Sequence, residues 1–192
     1  MAMRFIPFDS LSDAQCEEIA HIMTDPDVAQ NMGGGARLWT RERIFNMRNF
    51  ARSDARADSR NYFYWAILPS RAQHIIGICG FHPAIPQMIA YFENDHFSKS
   101  ANPLQIMYAI DRDEWGKGYA TRAIRGICAQ PGIRGRQIWG LIFADNHASI
   151  RAIQKSEMFD RAASANIIVR GRECAIFIAR QCHNPRDTDM FH

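Results

Sequence analysis

Glu114-Trp115-Gly116-Lys117-Gly118-Tyr119-Ala120-Thr121 joins a strand-like segment to a helix-like one, and the rest of the chain is ordered around that junction. Before it, Leu104 to Ile110 is apolar and partly β-branched, as a buried strand requires. After it, Ala120, Ala123, Ile124, Ile127 and Cys128 recur at helical spacing until Pro131-Gly132. Gln137 to Phe143 is a second apolar strand, and Asn146 to Glu157 a second helix, capped by Asp145 or Asn146. Strand, glycine turn, helix, strand, helix is the order of a right-handed crossover, which predicts parallel neighbouring strands whose C-terminal ends face the same way. Gly116 and Gly118 then lie at the first of those ends. Glycine tolerates a tight turn there, and the free N–H groups that open the helix can hold a pyrophosphate.

The spacing is not that of other phosphate cradles. Gly-x-x-x-x-Gly-Lys-Ser/Thr is absent, and the dinucleotide fingerprint needs a third glycine where Thr121 stands. The stretch instead resembles the acyl-CoA loop of the GNAT acetyltransferases, Gln/Arg-x-x-Gly-x-Gly/Ala, with Trp115, Gly118 and Ala120 at the matching places. Trp115 to Thr121 as a whole is similar to the ribosomal-protein N-terminal acetyltransferase branch. A second match runs from Ala144 to Phe159: Asn146, then Ser149 three residues on, then Gln154-Lys155 in place of Glu-Lys, with Glu157 replacing the usual glycine. Thr24 to Ala29 and Ile76 to Pro83 also look like this branch, so the resemblance covers about Phe5 to Ala179.

The resemblance implies an α/β GNAT fold, a central mixed and splayed β-sheet with helices on both faces. It implies acetyl-CoA as cosubstrate, no metal, and an amine acceptor, either a protein N-terminus or a small molecule. The pantetheine arm would pair along Tyr108, Ala109 and Ile110 where the strands splay from Leu141 to Phe143. The pyrophosphate would lie at Trp115-Gly116-Lys117-Gly118-Tyr119-Ala120-Thr121, with Asn146 and Ser149 beside the cofactor. Direct attack of the amine on the thioester would draw its rate from juxtaposition and oxyanion stabilisation. Two positions depart from the family: Gln105 stands where branch members often carry Glu, and Ile153 where many carry Tyr. An acyl-CoA-binding regulatory or interaction protein with weak or no catalysis is therefore the alternative. The candidate acid–base groups are Glu93, Asp95 and His96, with Tyr108 as either an acid or a packed aromatic; His82 and Asp111 are replacements for the missing base.

Outward from this core, Ser12 and Gln15 form a capping box ahead of Cys16, Ile19, Ala20 and Met23, a helix that Thr24-Asp25-Pro26 interrupts. Gly33-Gly34-Gly35 is a hinge or the rim of a substrate entrance, and Thr40 caps a helix with Ile44, Met47 and Ala51 on one face. Tyr62 to Leu68 and His74 to Phe81 form a hairpin; Ala84 to Asn102, bracketed by prolines, reads as a long loop. Strands around Ala165 to Val169 and Cys174 to Ala179 turn at Arg170-Gly171. One domain, residues 1–180, is expected, with a polar tail over 181–192. With 47% hydrophobic and 22% charged residues, the chain has the balance of a globular protein. Its net charge of +3 is scattered, which argues against nucleic acid, and no apolar run is long enough for a membrane helix. Five cysteines without a Cys-x-x-Cys pair suit a reducing cytoplasm, where the protein would be a monomer or homodimer.

Overall fold

A computed structural model describes residues 2–33, 35, 37–55, 61–70, 72–86, 88–89, 103–133, 135–162 and 166–180. Its centre is an eight-stranded sheet in the order β1-β2-β3-β4-β5-β8-β6, with β7 pairing β8 off that path. The strands are β1 (Met3–Pro7), β2 (Phe63–Pro69), β3 (Gly77–Pro83), β4 (Leu104–Ile110), β5 (Ile138–Phe143), β6 (Phe159–Arg161), β7 (Ile167–Val169) and β8 (Arg172–Ala179). Every pairing is antiparallel except β4 with β5, the pair for which the crossover order requires parallel strands. The mixed, splayed sheet with helices on both faces is the expected α/β architecture.

Helices cover both faces, so the central strands lack polar alternation. All seven residues of β2 are buried. Phe63, Trp65 and Ile67 enter one core with Ile124 and Ile127 of α4 (Tyr119–Cys128) and Ile153 of α5 (His147–Ser156). Tyr64 and Ala66 enter the other, under α1 (Asp13–Thr24), α2 (Pro26–Ala29) and α3 (Arg41–Asp54). The capping box closes as expected: Gln15 N–H donates to Ser12 Oγ at 3.2 Å, and Ser12 N–H to Gln15 Oε1 at 3.0 Å. Asp25 then caps α2 through the N–H groups of Asp27 and Val28, with Pro26 in the first turn, so the break between α1 and α2 is a cap-to-cap junction.

Three features differ from the sequence reading. Met3–Pro7 is a strand whose edge position gives it little apolar signal, and Phe159–Arg161 is a three-residue strand, too short for any period. The hairpin's second strand begins at Gly77, because Ile75 and Ile76 are buried in an approach segment whose Ile76 N–H donates to Ile67 O. The expected loop from Ala84 starts instead with a helical turn at residues 86, 88 and 89, whose buried Met88 packs with Ala84, Trp139 and Ile176. That apolar cluster supplies burial that a solvated loop lacks. Glu93, Asp95 and His96 lie outside the described residues, as does the tail. No helix among the described residues is long and apolar enough to cross a membrane.

Candidate active site

The β4–β5 ladder is short. Leu104, Gln105 and Ile106 pair with Ile138, Trp139 and Gly140, and beyond them the strands separate. Gly140 lies at the crotch of this fork, where an added Cβ would meet Ile153 Cδ1 at 2.9 Å and Phe177 Cβ at 3.3 Å. Ile153 is thus core packing directly beneath the crotch, fully buried.

Hydrogen-bond parity determines which backbone groups face the gap. Asp111 N–H donates to Ile76 O and Ala84 N–H to Pro103 O, so the odd-numbered residues of β4 spend their backbone groups on β3. Leu104 N–H donates to Gln137 O, which turns the even-numbered residues toward β5. Past Ile106 there is no β5 partner, and the backbone of Tyr108 and Ile110 faces the fork. Ala109 lines the same cleft, but its own N–H and C=O belong to the β3 ladder. The Trp115 indole N–H donates to Ile110 O at 2.8 Å and so anchors the following turn to the end of β4.

In that turn Gly116 and Gly118 have φ of +77° and +74°, the left-handed region that only glycine occupies without strain. Gly118 is the N-cap of α4, and the first N–H groups of the helix beyond it have no intrahelical acceptor. A cleft of about 350 Å³ runs along this turn and the fork, lined by Ile110, Trp115, Gly118, Tyr119, Ala120 and Thr121, and across from them by α5. Lys117 is not on its wall: its ammonium pairs with Glu114 at 3.0 Å. Thr121 lines the cleft, yet its hydroxyl is turned to Ala152 O at 3.3 Å. Two cations on α5, Arg151 and Lys155, line the cleft and were not singled out from the sequence. Helical spacing puts them on one face with Ala148 and Ala152, a signal that was available.

A larger cleft, about 1050 Å³, opens on the α1–α3 side of the sheet. Asn31, Met32, Tyr108, Asn146 and Ser149 line both clefts and mark their junction. Asn146 caps α5, accepting from Ser149 N–H at 3.1 Å, and the Tyr108 hydroxyl donates to Ser149 O at 3.1 Å across the fork. Burial pushes the Tyr108 hydroxyl well above the ordinary tyrosine range, so it stays protonated. Gly33 and Gly35 lie on the rim of the large cleft.

His82 and Gln105 face each other across the β3–β4 ladder, and both line the large cleft. His82 Nδ1 lies 2.8 Å from Pro83 O; a carbonyl only accepts, so the proton is on Nδ1 and Nε2 keeps its lone pair. Burial lowers the imidazole pKa from 6.5, against the smaller raising effect of that carbonyl. Gln105 offers no ionisable group, and its buried Oε1 finds no donor among the described residues. Asp111 is at the far end of β4, capping the next turn through Asp113 N–H. Cys174, also on the cleft wall, is buried and its thiol pKa is raised by that burial, which disfavours a thiolate nucleophile.

Residues 5–158 match the acetyltransferase (GNAT) domain family, and the chain belongs to that family. Its fold is similar to that of a GNAT-family acetyltransferase from Bacillus anthracis, at a TM-score of 0.64 and 15% identity over 94% of this chain and 96% of that one. It is similar to the ribosomal L7/L12 alpha-N-protein acetyltransferase RimL in complex with coenzyme A, at 0.62 and 12% identity over 94% of each chain. It is also similar to AAC(6')-Ib in complex with ribostamycin and coenzyme A, at 0.61 and 12% identity over 94% of this chain and 93% of that one.

Proposed function

We propose that this protein is an N-acetyltransferase that moves the acetyl group of acetyl-CoA directly to a primary amine. The observation that carries the reading is the fork: unpaired β4 backbone leads from a left-handed glycine turn at a helix N-terminus to a second, aromatic-lined cleft. These residues fit acetyl-CoA. The N–H groups opening α4, together with Arg151 and Lys155, would hold its phosphates, and the backbone of Tyr108 and Ile110 would pair with the pantetheine amides. Bound acetyl-CoA supplies an activated thioester carbon.

The amine would approach from the large cleft. Nitrogen attacks the thioester carbon, the C–N bond forms and the C–S bond breaks; the amine gives up one proton and the leaving thiolate gains one. His82 Nε2 is the group we assign as acceptor of the amine's proton, because its tautomer is fixed and burial keeps it neutral. We assign the Tyr108 hydroxyl, which is protonated and lines both clefts, as the donor that returns a proton to sulfur. Glu93, Asp95 and His96 stay candidates that the described residues do not reach. The Trp115–Thr121 string favours the ribosomal-protein branch, and solved relatives include both a ribosomal-protein acetyltransferase and an enzyme bound to ribostamycin. We place the protein in the cytoplasm, as a monomer or homodimer, in keeping with the reduced, buried state of Cys16, Cys79, Cys128 and Cys174.

Gln105 and Ile153 favour a second reading, an acyl-CoA-binding regulatory protein with little turnover, since neither side chain can exchange a proton. Calorimetric binding of acetyl-CoA, followed by thiol release against peptides and small amines, separates the two. Binding with turnover supports the transferase; binding without turnover supports the regulator; absence of binding overturns both.

A further inference from the structure

If the large cleft receives the acceptor, as the proposed function has it, its charge says which amines it can receive. The wall carries three guanidinium groups, those of Arg43, Arg170 and Arg172, and no carboxylate among the described lining residues. Arg172 is neutralised in place: it pairs with Asp145 at 2.8 Å, stacks on the Phe143 ring at 3.5 Å and donates to Gln30 O. Arg43 and Arg170 have no carboxylate partner among the described residues. Arg43 projects from α3 and lies over the Trp39 indole at 4.8 Å, while Arg170 belongs to the β7–β8 turn and lines the same cleft. Trp39 is itself 6% exposed, and its buried indole N–H has no acceptor among the described residues. The rest of the wall combines apolar and aromatic side chains, Met47, Phe50, Tyr62 and Met107 among them, with His82 and uncharged polar ones such as Asn46 and Gln105.

We infer that the acceptor is a primary amine carrying an anionic group on an apolar body, a carboxylate or phosphate that Arg43 and Arg170 select. Polycationic amines are disfavoured by the same field: each added ammonium meets like charge at the wall. A free amino acid and the N-terminus of an acidic peptide share the required chemistry, so both belong in the test.

After acetyl-CoA binding has been verified, thiol release would be measured for matched pairs at low ionic strength. These are phenylalanine against phenethylamine, an N-terminal peptide with glutamates at its second and third positions against its lysine counterpart, and spermidine as the polycation. The anionic member should have the higher kcat/KM by about tenfold or more, as for charge complementarity at a partly exposed site. Whichever pair turns over identifies the source, amino acid or peptide. Arg43→Gln and Arg170→Gln should each lower kcat/KM for the anionic member through KM and so narrow the ratio within each pair. Equal rates within the pairs, preference for the lysine peptide or spermidine, or arginine variants that act on all acceptors alike would overturn the inference; binding with no turnover of any member would overturn the transferase reading, and the inference with it. Failure of acetyl-CoA to bind would instead overturn the transferase reading on which it rests.

Discussion

At His82, burial and a neighbouring carbonyl act on one ring in opposite directions, and burial prevails. The folded pKa is below 6.5, so as pH falls the unfolded chain takes up this proton first. The stability contributed by neutral His82 is therefore complete above about pH 6.5 and is lost as pH falls through the folded value. Urea unfolding of the native chain and of His82→Gln should diverge below that pH, the native chain losing stability faster. If His82 is the base, His82→Gln should also lower kcat by about 10²–10⁴-fold and abolish the acidic limb of the kcat/KM profile. At Gly118, Asn and Asp impose similar strain at φ +74°, but only Asp adds a negative charge. Gly118→Asp should weaken acetyl-CoA binding at least about tenfold more than Gly118→Asn, measured by calorimetry at low salt, because a carboxylate at the helix N-terminus repels pyrophosphate.

For the strands, the alternation along β4 gives a residue-by-residue test. Acetyl-CoA binding should slow amide exchange at Tyr108 and Ile110 by more than the general stabilisation it gives Ala109, which is already paired with β3. Uniform protection along β4 would contradict a ligand that pairs with one edge. The adjoining strand tolerates little change. A Cβ on Gly80 would come within 2.2 Å of Phe63 O and 2.5 Å of Tyr64 Cδ1. The first obstacle is backbone, so Gly80→Ala should cost about 1–3 kcal/mol or more in chemical denaturation, with the far-UV spectrum retained. The helices were legible for a different reason: their ends are written locally. Ser12 with Gln15, Thr40 and Asn146 each supply a side-chain acceptor to a backbone donor a few residues away, which needs no tertiary partner. β1 and β6 lacked such a signal, since an edge strand and a three-residue strand acquire their identity from the neighbours that pair with them.

For the molecule as a whole, acetyl-CoA bound as proposed would bridge elements far apart in sequence, β4, the α4 turn and α5, which line one cleft. Ligand at about a hundred times its Kd should raise unfolding free energy by about 2.7 kcal/mol, visible as a higher melting temperature. The crossover, its glycine turn and the parallel β4–β5 pair could be read from the linear chain, because glycine spacing, caps and apolar periodicity are local properties. The chain also exposed its own departures, Gln105 and Ile153, though not their surroundings. Three features required the assembled sheet. The fork opens beyond Ile106, above the packing of Gly140 on Ile153 and Phe177. His82 meets Gln105 because β3 pairs antiparallel with β4. Arg43 and Arg170, far apart in the chain, come to share a cleft without a described carboxylate. Each depends on contacts between distant segments, and a pattern confined to neighbouring residues carries no record of which distant groups will share a space or how far each will be dried.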